Sequence, residues 1–320
     1  MSKYIDMTEE KPVIIIEEKP EVIPGQGQGE VPTITIERDH SDKGSDNSTK
    51  KNPHRLWAWT ICSILATALL CVGIWSGWRF YRAYNNLGVP IAVSPDENIG
   101  KLQAKNAADV TPEVVMTSDS VLGVALNLYE ARGLRAEISM NEPDTADTDV
   151  FLYSRCADYH PDFSIIGSMV IDGKEIETAR SNRIGYFAGV GDNYVIGVSR
   201  SDKVKDFAAQ NGGCFFRQFI LLSAGTLPPH FYLHGKVERR AIGRMSNDRL
   251  YYIETLHKET MWDFADALRE YGFIDAIYIT GGYDYCFYRT ADGTRHDIGD
   301  VRRFPHKHAG QVPWVVFRKK

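Results

Sequence analysis

Cysteine is scarce in this 320-residue sequence, and so is any excess of charge of one sign. Only five cysteines occur and none stands in a CxxC spacing, which excludes a zinc ribbon or a thioredoxin-type redox site. Cys62 and Cys71 lie in an apolar run where a disulfide is not expected. Cys156, Cys214 and Cys286 form an odd set, compatible with one disulfide and a thiol or with three thiols. The formal net charge of -5 includes no basic excess that would call for nucleic acid, and no acidic tail. With 43% hydrophobic and 25% charged residues the chain is too polar for a multi-span membrane protein. Aromatic residues are missing from positions 1 to 55 apart from Tyr4, and the stretch is rich in Glu, Pro, Lys, Asp and Ser. That composition predicts a disordered tail.

Against this background one segment stands out. Leu56 to Trp78 carries no charge over 23 residues. As a helix it would extend roughly 34 Å, enough for a bilayer core of about 30 Å. Trp57 and Trp59 mark one end and Trp75 and Trp78 the other, as interfacial belts do. A cleaved signal peptide is not expected so far from residue 1, with no small-residue cleavage site following. Lys43, Lys50, Lys51 and Arg55 precede the span, whereas Arg79 and Arg82 follow it. This bias predicts a single-pass protein with a cytoplasmic N-terminus and a periplasmic or otherwise extracytoplasmic C-terminal domain. A disulfide is permitted on that side.

Four regions follow: a cytoplasmic tail over 1–55, the transmembrane helix over 56–78, a juxtamembrane linker over 79–114, and a globular domain over 115–320. The tail holds two similar apolar runs, Val13 to Ile16 and Thr33 to Ile36, each followed by acid. Residues 10–40 are therefore read either as a strand-forming peptide for a cytoplasmic protein partner or as linker. The linker opens on an aromatic and basic patch, Arg79 to Tyr84, and contains Pro90, Pro95 and Pro112.

In the globular part, apolar residues between Ser118 and Arg132 predict a helix. Strands are expected at 150–153, 165–171, 184–190, 194–198, 214–222, 241–245, 250–254, 274–279, 287–288 and 314–317, with hairpin signals at Gly191-Asp192-Asn193 and Ser246-Asn247-Asp248. A short helix is expected over 201–209 and a stronger one over 260–271. In the latter, Thr260 is a candidate N-cap with Asp263 three residues on, Met261, Phe264, Ala265 and Leu268 make one stripe, and Gly272 ends it. The expected class is α+β: a mixed, mainly antiparallel sheet with flanking helices, preceded by one transmembrane helix.

Three segments are candidates for chemistry. Asn211-Gly212-Gly213 leads into Cys214-Phe215-Phe216-Arg217, leaving backbone open to a ligand or forming a bulge or turn. Arg239-Arg240-Ala241-Ile242-Gly243, if a strand, places Arg239 and Ala241 on one face and Arg240 and Ile242 on the other. An arginine there suits a phosphate or carboxylate, or is a solvated edge residue. Asp275 to Ile279 runs as an apolar strand into Thr280-Gly281-Gly282 and then Tyr283-Asp284, where the backbone can bend over a pocket. His306-x-His308 has a ligand-like alternation, but Lys307 and Arg303 crowd it with positive charge.

In this order, with the Phe264 to Gly272 helix between the last two, these motifs resemble the phosphodiester glycosidase domain. That domain is shared by bacterial exopolysaccharide-associated proteins and the mammalian uncovering enzyme, and the wording is most similar to a membrane-anchored Bacteroidetes form. The likeness covers roughly Ile184 to Arg318. It implies hydrolysis of a sugar-1-phosphodiester, with Asn211 and Arg239 as candidate catalytic residues and Asp284, four residues beyond Thr280, as the candidate substitute for the family's Asp. Gly212, Gly213, Arg217, Thr280, Gly281, Gly282 and Tyr283 would bind substrate, a glycan or sugar phosphate of envelope polysaccharide. The lipid bilayer is the other expected partner. No cofactor is assigned, and a divalent metal at the turn is left open. Cys214 and Cys286 follow the two glycine pairs at a similar distance and are a candidate disulfide if those strands meet at one cleft.

The family's turn reads Asn-Leu-Asp-Gly-Gly, and here Tyr278 and Thr280 stand where its Asn and Asp would be. Threonine neither ionises nor holds a charge near neutral pH, so it replaces no acid, base or metal ligand. Two functions therefore follow from the sequence: a periplasmic hydrolase, or a catalytically silent glycan-binding or scaffold domain that links an envelope machine to the cytoplasm.

Overall fold

The structure is a computed structural model that describes residues 53–104, 110–176, 178–179, 181–282, 285–299 and 312–320. The chain divides into two units, residues 1–58 and 59–320. Of the first, only the opening of a helix falls among the described residues.

That helix, α1 (Pro53–Tyr84), is the one described helix long and apolar enough to cross a membrane. Pro53 suits a first turn, where its missing N–H would be unpaired anyway. Beyond Tyr84 the chain leaves the helix through Asn86, whose φ of 56° is the left-handed conformation of a helix stop. Then come α2 (Pro95–Gln103), β1 (Glu113–Val121), β2 (Val124–Arg132), β3 (Leu134–Ser139), β4 (Val150–Arg155), β5 (Met169–Ile171) and β6 (Lys174–Ile176). The hairpin β7 (Gly185–Val190) and β8 (Asn193–Val198) leads to α3 (Lys203–Gln210), β9 (Cys214–Gln218) and β10 (Ile220–Leu222). The chain continues through β11 (Arg239–Met245), β12 (Leu250–Thr255), α4 (Met261–Tyr271) and β13 (Phe273–Gly281). It closes with β14 (Cys286–Arg289), β15 (Arg295–Ile298) and β16 (Trp314–Lys319).

The strands form three sheets in the orders β1-β2-β12-β11-β13-β10, β15-β14-β4-β16-β3 and β6-β5-β9-β7-β8, with antiparallel pairing throughout the ladders. This is the expected α+β class. One core lies among the sheets, with Ile242 and Ile277 of the first, Phe287 and Val316 of the second, and Phe187 and Phe216 of the third. A second lies between the other face of the six-stranded sheet and α4, through Leu126, Ala241, Phe264 and Leu268. A third packs α2 and α3 on the five-stranded sheet that carries β9, through Leu102, Val204 and Phe215.

Two sequence expectations are corrected. Residues 118–132 are the β1–β2 hairpin, not a helix, and Leu122 and Gly123 make its turn with φ of 53° and 81°. In β2, Leu126 and Leu128 face the α4 core while Tyr129 faces the other, so both faces are buried. The strand alternation is erased, and the apolar clustering imitates a helix. Residues 79–104, expected as linker, are built into the domain: Asn85, Asn86, Val89, Asn98 and Leu102 are all buried. Tyr84 packs edge-on against Phe219 and Tyr232 with centroids 6.0 and 4.9 Å apart, and the Ile220 amide donates to the Asn86 side-chain oxygen at 3.1 Å.

Candidate functional site

The two glycine motifs occupy opposite ends of the molecule's central strands. Asn211 is the C-cap of α3, and its side-chain amide donates to the Phe207 carbonyl at 2.8 Å. Gly212 follows with φ of 64°. Gly213 is buried, and a Cβ there would run into the Gly189 carbonyl of the neighbouring strand. The motif thus serves helix termination and close strand approach, the turn reading that the sequence also allowed. From Cys214 to Gln218, the β9 residue that reaches β13 by donating to the Ile279 carbonyl at 3.4 Å, the strand spans roughly 13 Å at ~3.3 Å per residue.

The Thr280-Gly281-Gly282 turn is instead held by the start of β11. Arg239 pairs with Gly281 in the ladder, and the Gly282 amide donates to the Glu238 carbonyl at 2.9 Å. A Cβ on Gly281 would come within 2.5 Å of the Tyr278 hydroxyl, so only glycine fits. The two arginines diverge as strand alternation requires, with Ala241 in the α4 core and Ile242 in the inter-sheet core.

Arg239 is 2% exposed. Its Nε donates to the Glu259 carbonyl at 3.0 Å and a terminal nitrogen to the Gly235 carbonyl at 2.8 Å. Its guanidinium lies 5.8 Å from the centre of the Tyr278 ring. Burial pushes the Tyr278 phenol up to about 12; Asp158 adds to the rise while Arg239 and Arg240 oppose it. The phenol is therefore neutral at physiological pH. The position that resembles the family's Asn is a buried uncharged ring, and Thr280 follows it with an uncharged hydroxyl.

On the opposite face a polar row, exposed at Ser118 and buried from Asn127 to Arg240, crosses the sheet in register. Ser118 donates to Asn127 at 2.8 Å, Asn127 donates to Glu254 at 3.2 Å, and Tyr129 donates to the same Glu254 oxygen at 2.8 Å. Arg240 lies 3.9 Å from the other Glu254 oxygen and donates to the Gly282 carbonyl at 2.7 Å. Burial first, then the Glu254 charge, push the Tyr129 phenol well above its usual range, which keeps it a proton donor to the carboxylate. The row ties the glycine turn to four strands, β11, β12, β2 and β1. Glu254 was not singled out by sequence, although an acid inside the apolar run Leu250 to Thr255 was the signal available.

A further charged group, Arg183 in the segment before β7, meets Gln218 at the end of β9. Arg183 is buried, donates to Asp158 at 3.0 Å and to Gln218, and stacks on Phe219 at 4.0 Å. Among the described residues its Nε has no hydrogen-bond partner. Sequence reading missed it because its surroundings come from segments far apart in the chain. Arg217 is engaged elsewhere: it donates to the carbonyls of Ser199 and Ser201, each at 2.7 Å, and to Asp202 at 3.0 Å, pinning the turn into α3.

No family model and no curated protein matches the chain. Solved structures do. The chain is similar to the catalytic domain of zebrafish N-acetylglucosamine-1-phosphodiester alpha-N-acetylglucosaminidase, a domain auto-inhibited by its pro-peptide. Sequence identity is 13% over 68% of this chain and 86% of that one, with a TM-score of 0.48. It is also similar to a hypothetical protein from Synechocystis, at 9% identity over 67% of this chain and 64% of that one, with a TM-score of 0.37.

Of the sequence-predicted site residues, the structure brings Arg239, Thr280, Gly281 and Gly282 together. Asn211, Gly212, Gly213 and Arg217 lie apart from them, and Tyr283 and Asp284 lie outside the described residues, as do His306 and His308. Among the described residues no group of three or more His, Cys, Asp or Glu side chains is placed to hold a metal. The candidate disulfide is not formed. Cys214 sits in β9 beside Gly189 of β7 with its thiol toward the Ala136 carbonyl. Cys286 sits in β14 of another sheet, 3.9 Å from the Tyr252 hydroxyl, and neither cysteine is in a disulfide. The premise of a shared cleft fails because the glycine pairs are at opposite ends of β9. Burial pushes the Cys214 thiol up to about 12, an environment that makes it unreactive.

Proposed function

We propose that this is a single-pass membrane protein whose extracytoplasmic domain keeps the arrangement of phosphodiester glycosidase motifs but does not hydrolyse a sugar phosphodiester, serving instead as an anchored binding or scaffold domain. The observation that carries this reading is the state of Arg239: buried, and with its guanidinium engaged by the Gly235 and Glu259 carbonyls instead of open to a phosphate. The neutral Tyr278 and Thr280 beside it offer no acid or base. In this reading residues 10–40 are the contact for a cytoplasmic partner, and the helix carries that contact across the bilayer.

A retained sugar-phosphate ligand is favoured by one group, the Nε of buried Arg183, which has no partner among the described residues and whose neighbour Gln218 donates to the Ile279 carbonyl just before the turn. One experiment addresses both. The full chain in nanodiscs is given a chromogenic sugar-1-phosphodiester and, separately, the sugar-1-phosphate in a calorimeter. The expected result is no turnover; saturable binding that Arg183→Lys removes would add the ligand. Turnover by the native chain that Arg239→Ala or Asn211→Ala abolishes, in variants whose near-UV circular dichroism shows the domain still folded at the assay temperature, would overturn the proposal.

A further inference from the structure

The aromatic and basic patch after the span takes no part in the glycine-turn site, yet it lines two cavities. Trp75, Trp78, Arg79 and Arg82 are spaced i, i+3, i+4, i+7 and so share one stripe of α1. Both tryptophans are more than half exposed. The loop of Pro229 and His230 overhangs this stripe, and the space between is a cavity of about 360 Å³. Its floor is tight: a Cβ on Gly88 would meet the Pro229 ring at 2.5 Å. On the other side of Arg79 and His230 a second cavity, of about 540 Å³, opens between Phe80, Tyr232, His234 and Trp262. Trp262, on the first turn of α4, is 46% exposed at its edge.

Three features give this place a ligand chemistry. The described residues lining the two cavities include two arginines and two histidines and no carboxylate. Arg79 stacks on Trp75 at 4.8 Å, and among the described residues neither Arg79 nor Arg82 pairs with an acid. Trp78 marks the interface, so Arg79 and Arg82 lie about 1.5 and 6 Å beyond it along the helix axis, the depth of a lipid phosphate. Below them α1 offers bare apolar surface at Leu69, Leu70 and Ile74 for an acyl chain.

We infer that the cavity between α1 and the Pro229–His230 loop binds an anionic phospholipid of the leaflet on the domain's side. Its phosphate would lie between Arg79, Arg82 and His230 and its acyl chain along Trp75 and Trp78. The occupant is a lipid and not a soluble phosphate because the cavity is continuous with the membrane-facing stripe. The site is independent of the glycine turn, so it stands whether or not the domain is catalytic.

The test is electron spin resonance of the full chain reconstituted in phosphatidylcholine with trace spin-labelled lipid. Labelled phosphatidylglycerol is expected to be immobilised on the order of ten-fold more than labelled phosphatidylcholine, since two juxtamembrane arginines act on it. The double variant Arg79→Gln/Arg82→Gln is expected to lose the preference. Arg79→Lys/Arg82→Lys, which keeps charge and helix, is expected to retain most of it, and near-UV circular dichroism verifies the domain fold in each. Millimolar glycerol phosphate should not compete. Equal immobilisation of the two lipids, a preference that survives the glutamine variant, or full competition by glycerol phosphate would each overturn the assignment.

Discussion

Arg239 illustrates how a motif residue changes meaning with its surroundings. In the sequence it is a strand arginine fit for phosphate. In the structure it links the loop before β11 to the segment before α4 through the Gly235 and Glu259 carbonyls. Arg239→Ala would leave both carbonyls short of a donor in a buried place and is expected to lower stability by about 2 kcal/mol. Arg239→Lys is expected to recover little, because one ammonium does not reproduce a planar fork. Thermal unfolding of the full chain reads both; an unchanged midpoint for the alanine variant would show that the guanidinium is not the clamp. Asp147 gives a pH dependence. A hydrogen bond from Arg318, at 2.5 Å, and one from the Asp149 amide hold its carboxyl below the usual range despite partial burial. The folded state therefore favours the ionised form. This stabilisation is complete above the unfolded value of about 3.9 and is lost as pH falls from there through the folded value. The gap in unfolding midpoint between the native chain and Asp147→Asn should be wide at neutral pH and closed in strong acid; a gap independent of pH would sink the assignment.

Among the elements, α4 was legible in full. The Asp263 amide donates to the Thr260 hydroxyl at 3.0 Å, the predicted stripe is buried, and Gly272 stops the helix with φ of 108°. These signals are local, so tertiary context had nothing to override. The β1–β2 hairpin was not legible, because its turn is Leu122-Gly123 instead of a polar pair and its second strand is buried on both faces. Leu122 is 63% exposed with φ of 53°, a conformation that a leucine adopts at a cost. Leu122→Asn, which gives the turn the residue its geometry prefers, is expected to stabilise the domain by about 0.5–1 kcal/mol in denaturant unfolding. A loss of stability would mean that the Leu122 side chain packs on something its exposure conceals.

For the domain as a whole, the end of α1 is part of the fold. Tyr84 contacts Phe219 and Tyr232, Arg183 lies 5.3 Å from its ring centre, and the Asn182 amide donates to the Tyr81 hydroxyl at 3.0 Å. An apolar helix seated this way is continuous with the fold of the domain instead of trailing it on a tether. Tyr84→Ala removes the ring that closes the seat. It is expected to raise the rate of limited proteolysis within residues 85–94 about ten-fold, with little change in the core strands. Cleavage at the native rate would restore the linker reading.

By itself the sequence determined the apolar helix, the helix α4, most strands from β4 onward and the α+β class, since each rests on composition or spacing within a short window. It also assembled the glycosidase-like motif order. Tertiary structure decided what those motifs do. Whether Asn211 meets Thr280 depends on which end of β9 each one reaches, and they reach opposite ends. Whether Arg239 is open to an anion depends on carbonyls 4 and 20 residues away in the chain. Whether Arg79 to Tyr84 is a tether or a seat depends on aromatic rings more than 130 residues downstream. Long-range packing has no local signature, and the candidate site of this protein is made of it.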